Sequence, residues 1–272
     1  WHEVHIVLLL TASYHTSFYS DYFCRISVID IKPMYAFCQD FFLNIFEKNG
    51  KFMNLKNAFL RGTLLLTLAG LISRFMGFFY RIFLANTIGA EGMGIYQLIF
   101  PIYSLCFSLC ASGIETSVSK LTAAKCAVGK QEEASGILKA GLILTLTLSG
   151  SCSFLIFQHA DILAEVFLKE SRCTGLLKIL AVTIPFGTTQ SCICGYYFGV
   201  HKAGVPSAAQ LIEQGLRIAC VFLLYHICLT NKMEISPAIA VMGLVFGEFC
   251  ALLFTVTCFS LSLIHISEPT RP

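Results

Sequence analysis

The sequence predicts an all-α integral membrane protein with about six transmembrane helices. Between Phe59 and Phe259, about six apolar stretches of roughly 20 or more residues are separated by short polar breaks. That length suffices to cross a hydrocarbon core of about 30 Å as a helix. Hydrocarbon offers the backbone no hydrogen-bond partners, so each stretch must be a helix that pairs its own N–H and C=O groups. Composition agrees, because only 13% of residues are charged, against about a quarter in soluble domains.

The first three predicted spans lie at residues 59–86, 95–118 and 137–157. The segment 89–94 contains three glycines and favours a break between the first two spans. The segment 120–139 carries four lysines and two glutamates and separates the second span from the third. Pro101 should kink the second span and free a carbonyl group that needs a neighbour, because proline removes one backbone hydrogen bond.

The last three predicted spans lie at residues 176–200, 208–229 and 237–259. A mixed-charge amphipathic segment at 161–172 precedes them, and the polar turns 201–206 and 231–234 separate them. Pro185 should kink the fourth span. The patterns Gly195-x-x-x-Gly199 and Gly243-x-x-x-Gly247 each place two glycines on one helix face. Such faces allow close helix contact, and we interpret both patterns as packing surfaces.

Both ends of the chain differ from this pattern. The chain opens with Trp1, and residues 1–52 contain no apolar run long enough to span a bilayer. Met53 opens a basic lead-in to the first span, so we predict that translation starts there. Residues 1–52 are then a non-native read-through or disordered extension, with an amphipathic extension on the membrane as the alternative. Residues 261–272 look like a translated sequencing adapter, so we predict a fragment whose native part is 53–260.

The distribution of basic residues predicts the orientation in the membrane. Cytoplasmic loops carry the excess of lysine and arginine. If the N-terminus is cytoplasmic, nine basic residues fall inside and four outside, which favours this orientation and returns the chain to the cytoplasm near Ser260. The inner set is Lys48, Lys51, Lys56, Arg61, Lys120, Lys125, Lys130, Lys139 and Lys202, and the outer set is Lys169, Arg172, Lys178 and Lys232.

Two arginines, Arg74 and Arg81, fall within the first predicted span. A spacing of seven residues is close to two helical turns, so both side chains should share one face, about 10 Å apart along the axis. An arginine in the middle of a span costs about 2.5–3.5 kcal/mol on insertion scales. We therefore expect both to face a protein or water cavity. The alternative is that they reach the headgroups, a role better suited to Arg81 than to the deeper Arg74.

Three carboxylates and a third arginine also lie within predicted spans. Glu213 and Arg217 are spaced i and i+4 in the fifth span, the favourable order for an ion pair on a helix. That pair has either a structural or a ligand-binding role. Glu248 in the sixth span and Glu115 near the inner end of the second could each be a protonatable group or the partner of an arginine. Glu115 could equally be solvated at the membrane surface.

No pattern in the sequence predicts an enzyme, a cofactor or a metal. The 13 cysteines are scattered, without a CxxC pair, and we interpret them as small packing residues. The segment 89–94 is not a phosphate-binding loop, because it follows a helix and lacks the Lys-Ser/Thr ending. The formal net charge of +3 gives no indication of nucleic-acid binding.

Several motifs within residues 59–259 resemble those of one family. They are Phe-Leu-Arg-Gly-Thr-Leu at 59–64, Ala-Gly-Leu-Ile-Ser-Arg-Phe-Met-Gly-Phe-Phe-Tyr-Arg-Ile at 69–82, Ile-Gly-Ala-Glu-Gly-Met-Gly-Ile-Tyr-Gln at 88–97, Ser-Lys-Leu at 119–121 and Leu-Ile-Glu-Gln-Gly-Leu-Arg-Ile at 211–218. In this order they resemble the stage V sporulation protein B-like flippases of polysaccharide biosynthesis. These flippases belong to the multidrug, oligosaccharidyl-lipid and polysaccharide exporter superfamily.

The resemblance implies two six-helix lobes around a central cavity that opens alternately to either side of the bacterial plasma membrane. Only the N-terminal lobe is present here, so a C-terminal lobe is an implied partner, together with membrane lipids. The implied substrate is a lipid-linked diphosphate saccharide. Arg74 and Arg81 match a region of the family in which arginines of the first helix line the cavity and serve the diphosphate, with a spacing one residue longer in this chain.

Other functions stay open at this stage. The charges within the spans nearly balance, which also suits a drug or cation antiporter of the same superfamily that uses a carboxylate as a proton switch. A membrane-embedded glycosyl- or acyltransferase would need an acid–base or metal-binding cluster, and the sequence does not contain a recognisable one. A third alternative is that the truncated product has no activity by itself.

Overall fold

The structure is a computed structural model that describes residues 58–267, with side chains for 62–130 and 133–262. All described residues belong to the second of two units of the chain, Leu55–Pro272. Three predictions concern residues that the structure does not describe. They are the predictions for residues 1–52, for a start at Met53 and for residues 268–272 of the segment 261–272.

The described residues form an all-α bundle without a β-strand, as predicted. The helices are α1 (Ala58–Phe107), α2 (Gly113–Ala127), α3 (Gln131–Gln158), α4 (Ala160–Ile162), α5 (Cys173–Gly199), α6 (Gly204–Thr230) and α7 (Ala238–Ser267). The π-helical turn Ser108–Ser112 joins α1 to α2, and a second π-helical turn, Leu163–Phe167, follows α4. Within residues 58–267, five helical stretches are long and apolar enough to cross a membrane.

The first of these five stretches, Gly62–Ala127, is 66 residues long and contains most of the first predicted span and all of the second. Gly89 interrupts it with a φ of 73°, a conformation that glycine adopts without steric cost. Tyr80 and Tyr96 lie on opposite sides of Gly89 and would be about 24 Å apart along a straight helix. The two side chains nevertheless lie close to each other, so the chain turns sharply at Gly89.

Two predicted breaks therefore need correction. The break between the first two spans is Gly89 alone, and helical structure resumes at once through the rest of segment 89–94. The segment predicted to separate the second and third spans at 120–139 is mostly helical, because α2 continues to Ala127 and α3 begins at Gln131. Lysines in these end turns can extend their charged groups beyond the apolar region while their stems stay on the helix.

Helix α5 lies at the centre of the bundle and contacts α1, α2, α3 and α7. Its sequence is rich in small residues, which let neighbouring helices approach closely. Pro185 lies within α5, as predicted, and leaves the carbonyl of Ala181 without its usual N–H donor. The Ser153 hydroxyl on α3 donates a hydrogen bond of 2.6 Å to this carbonyl. A neighbouring helix thus satisfies the group that the proline frees.

The two glycine patterns are packing surfaces, as predicted. A Cβ atom added at Gly195 would lie 2.6 Å from the carbonyl oxygen of Glu115 on α2, and one at Gly199 would lie 2.7 Å from that of Ser119. A Cβ added at Gly247 would lie 2.9 Å from the carbonyl oxygen of Glu213 on α6. These close approaches fix α2 against α5 and α6 against α7, and they position the charged residues described next.

Candidate functional site

Arg74 and Arg81 lie on the first arm of α1, the part before Gly89. Both side chains are exposed, and neither forms a hydrogen bond or ion pair with another described side chain. The neighbouring exposed residues on this arm are large and apolar: Leu71, Phe75, Phe78 and Phe79. The result is a strip with two unpaired cations among exposed apolar side chains, which we call the arginine strip.

The remaining predicted residues lie in the bundle interior, and three of them meet. Arg217 on α6 donates a hydrogen bond to Glu213, so the predicted i, i+4 pair is formed. The same Nη2 atom lies 3.7 Å from Oε1 of Glu248 on α7. The side chains of Glu213, Arg217 and Glu248 are 21%, 15% and 8% exposed. We call these three residues the buried charge cluster.

Tyrosines surround the buried charge cluster. The Tyr103 hydroxyl on the second arm of α1 donates a hydrogen bond of 3.1 Å to Oε1 of Glu248. Tyr80 and Tyr96 also lie within electrostatic reach of Arg217. The turn at Gly89 brings these tyrosines together from both arms of α1. The cluster therefore joins α1, α6 and α7.

Helix α5 closes the remaining side of the buried charge cluster. A Cβ atom added at Gly187 would lie 2.9 Å from Oε2 of Glu248 and 3.1 Å from a ring carbon of Phe107. Glycine at position 187 is what allows the carboxylate of Glu248 to lie against the helix backbone.

Glu115 is separate from the buried charge cluster. It is half-buried on α2 and accepts a hydrogen bond from the Ser191 hydroxyl on α5. Ser191 lies one helical turn from Gly187, the residue that contacts Glu248. Cys194 lies within electrostatic reach of both Glu115 and Glu213. Glu115 thus has a hydrogen-bond partner on α5.

Gln214 links the arginine strip to the buried charge cluster. Its side-chain oxygen accepts a hydrogen bond of 3.2 Å from Nη1 of Arg217. Its side-chain nitrogen lies 3.4 Å from the Cβ position of Gly77, between Arg74 and Arg81 on α1. Arg81 also interacts with Tyr96, which is a neighbour of Arg217.

Sequence reasoning missed Gln214, Tyr103 and Ser191 as neighbours of the charged residues. Gln214 carried a usable signal, since it is a polar residue between Glu213 and Arg217 in an apolar helix. Tyr103 and Ser191 gave none, because tyrosine and serine are common in membrane helices and their partners lie on other helices.

A second group of charges joins the segment just before α5 to the residues just after the turn at Gly89. Arg172 donates hydrogen bonds of 2.8 Å to Glu170 and 2.7 Å to Glu91, which lies just after the turn at Gly89. The hydrogen bond from Arg172 lowers the pKa of the Glu170 carboxyl group. The side chains of Arg172 and Glu91 are largely exposed, so we assign this group to stabilising the turn of α1 rather than to a binding site.

The structural comparison supports the fold. The chain is similar in fold to the outward-facing conformation of a multidrug resistance MATE family transporter of the MOP superfamily, with a TM-score of 0.65 at 16% sequence identity. The match covers 79% of this chain and 48% of that structure.

Sequence comparisons point the same way. The chain is 34% identical over 204 residues to stage V sporulation protein B of Bacillus subtilis (strain 168), which covers 75% of this chain and 39% of that protein. It is 27% identical over 202 residues to the lipid II flippase MurJ of the same organism, which covers 71% of this chain and 36% of that protein. The chain therefore spans less than two fifths of the length of these curated relatives.

Residues 59–271 match the family model described as polysaccharide biosynthesis protein. This match extends over most of the chain and includes the arginine strip, the buried charge cluster and Glu115. The multiple apolar helices make the protein a multi-pass membrane protein. The chain belongs to the polysaccharide biosynthesis protein family.

Proposed function

We propose that this chain is the N-terminal lobe of a flippase that moves a lipid-linked diphosphate saccharide across a bacterial plasma membrane by alternating access. The observation that carries the proposal is the arginine strip. Two unpaired guanidinium groups among exposed apolar side chains suit a ligand with an anionic head and hydrocarbon tails. The relatives named above, one of them a lipid II flippase, support a substrate of this class.

The chemistry of arginine suits a diphosphate. A guanidinium group presents a planar fork of donors that binds phosphate oxygens in pairs, and such charge-assisted hydrogen bonds are about twice as strong as neutral ones. A diphosphate cannot cross hydrocarbon unaided, so a transporter must offer it cationic partners near the middle of the membrane. Arg74 lies near the centre of the first arm of α1, and Arg81 lies two turns further on.

In this proposal a second lobe covers the arginine strip and completes the cavity, and the N-terminus of the lobe is cytoplasmic. This chain matches less than two fifths of the length of the relatives, which agrees with a single lobe. The excess of lysine and arginine in the inner segments supports the orientation.

Binding to the 272-residue chain in nanodiscs tests the proposal. We expect a polyprenyl diphosphate saccharide to bind better than the same polyprenol without phosphate and better than phosphatidylglycerol. Arg74→Ala should weaken diphosphate binding about 10- to 100-fold, because a hydrogen bond to a charged group contributes about 1.5–3 kcal/mol. Arg74→Lys should restore part of the affinity, because lysine keeps the charge but not the fork.

Phe75→Ala is the matched control, since Phe75 is exposed beside Arg74 and carries no charge. This variant should keep the preference for the diphosphate. Equal binding of phosphatidylglycerol and the diphosphate lipid would show that the arginines anchor ordinary headgroups, and the proposal would then be wrong.

A drug or cation antiporter of the same superfamily is the second candidate function. The buried charge cluster favours it, because two carboxylates close to one arginine can exchange a proton or cation. Transport of a cationic dye that is driven by a pH gradient and is insensitive to Arg74→Ala would favour this candidate over the flippase.

A further inference from the structure

The buried charge cluster holds one more negative charge than positive charge. Glu213 and Glu248 supply two carboxylates, and Arg217 supplies one guanidinium group. The other titratable group close to Glu248 is Tyr103, and those near Arg217 are Tyr80, Tyr96 and Tyr103. Tyrosine is neutral at ordinary pH. A buried excess charge costs several kcal/mol unless a partner neutralises it.

The geometry shows which carboxylate is the unpaired one. Arg217 donates directly to Glu213, whereas its closest nitrogen is 3.7 Å from Glu248, beyond hydrogen-bond length. The Tyr103 hydroxyl lies 3.1 Å from Glu248, and hydroxyl groups that donate to an ionised carboxylate are usually at about 2.5–2.7 Å. Both distances suit a neutral carboxyl group at Glu248 better than an ionised one.

The surroundings of Glu248 favour a proton over a metal ion as the neutralising cation. A hard metal ion takes several oxygen ligands around it. On one side of Glu248 the guanidinium group of Arg217 would repel such an ion. On the other side, Oε2 lies against α5 at Gly187, where an added Cβ would be only 2.9 Å away. A proton needs no ligand shell and fits the space that is present.

Two donors, one in the buried charge cluster and one beside it, lack acceptors among the described residues. Nε of Arg217 is buried without a hydrogen-bond partner. The Tyr80 hydroxyl, on a side chain 5% exposed, also lacks a partner of normal geometry, although it lies near Arg217 and Tyr96. The cluster and its surroundings thus contain buried donors that the described side chains do not satisfy.

We propose that Glu248 is a proton-binding site in this lobe. Glu213 accepts a hydrogen bond from Arg217, and the Tyr103 hydroxyl donates one to Glu248. Proton binding changes the charge next to Arg217, and Gln214 connects Arg217 to the helix that carries the arginine strip. The inference goes beyond the proposed function, because it holds for a flippase and for an antiporter.

Infrared difference spectroscopy of the purified 272-residue chain in detergent tests this site. We expect a C=O stretching band of a protonated carboxyl group that persists at pH values where exposed carboxylates have ionised. Glu248→Gln should remove that band. Glu165→Gln is the matched control, since Glu165 is exposed, and it should leave the band unchanged. Absence of the band from the unmodified chain, or an undiminished band in Glu248→Gln, would overturn the proposal.

Tyr103→Phe keeps the proposal testable if Glu248→Gln fails to fold. The hydroxyl of Tyr103 stabilises the ionised form more than the neutral form, because hydrogen bonds to charged groups are stronger. Its removal should therefore increase the intensity of the protonated-carboxyl band at the pH where the band of the unmodified chain has fallen to half of its full intensity. An unchanged or weaker band would contradict the assignment. Neither measurement involves Arg74 or a lipid substrate, so failure of this proposal is distinct from failure of the proposed function.

Discussion

Replacing Gly247 by alanine should separate α6 from α7 and weaken the buried charge cluster. The added Cβ would lie 2.9 Å from the carbonyl oxygen of Glu213 and 3.0 Å from Cβ of Arg217. Ordinary contact begins at 3.4 Å, so the helices must move apart by about 0.5 Å (3.4 − 2.9). If that shift lies along the line to Glu248, the Arg217–Glu248 distance of 3.7 Å grows to about 4.2 Å. Overpacking of this kind costs about 1–3 kcal/mol.

Thermal unfolding of the purified chain in detergent, followed by circular dichroism, measures this effect. A loss of 1 kcal/mol lowers Tm by about 2–4 °C in a domain of 150–250 residues, so we expect Gly247→Ala to unfold roughly 2–12 °C lower. Gly150→Ala is the matched control, because Gly150 is also helical and an added Cβ there meets nothing within 4 Å. This control should keep or raise Tm, since alanine favours helix over glycine. Equal Tm values for the two variants would refute the reasoning.

Three further predictions concern the bundle and its ends. Ser153→Ala should destabilise the protein by about 1–3 kcal/mol, because it leaves a buried carbonyl unpaired. This cost should shrink in a Pro185→Ala background, which restores the backbone donor. Equal costs in the two backgrounds, measured by thermal unfolding in a double-mutant cycle, would contradict this prediction. The ion pair of Glu170 with Arg172 contributes stability above the unfolded pKa of Glu170, about 4.3, and this contribution is lost as pH falls through the lower folded pKa. Amide exchange near Glu170, corrected for intrinsic rates, should therefore accelerate at acid pH, and a pH-independent rate would argue against this pair. With Cys introduced at Lys125 or Lys232, an impermeant thiol reagent should label only the second position in oriented vesicles, and the reverse pattern would overturn the predicted topology.

The helices could be predicted from the sequence because length and apolar character alone decide membrane spanning. The i, i+4 pairing of Glu213 with Arg217 could also be predicted, since it depends only on the geometry of one helix. The contact between Arg217 and Glu248 could not, because it depends on the register in which α6 and α7 pack. Nothing in the sequence within either helix sets that register uniquely.

The break at Gly89 shows a similar limit. Three glycines in segment 89–94 suggested a longer interruption, but only Gly89 has a backbone conformation that other residues avoid. Glycine permits such a conformation without requiring it, so the sequence indicates where a break can occur and not how many residues it includes. The tyrosines from both arms of α1 reach Arg217 only because of that single turn.

Transport of a lipid-linked diphosphate saccharide by a fusion protein tests the central claim most directly. Residues 53–260 would be joined to the second half of the Bacillus subtilis stage V sporulation protein B, and flipping of a fluorescent polyprenyl diphosphate saccharide would be followed in vesicles. We expect the fusion protein to flip the lipid, Arg74→Ala to abolish flipping at unchanged abundance, and Arg74→Lys to retain part of it. Normal flipping by the Arg74→Ala fusion would contradict the assignment of the arginine strip to the substrate and would favour the antiporter.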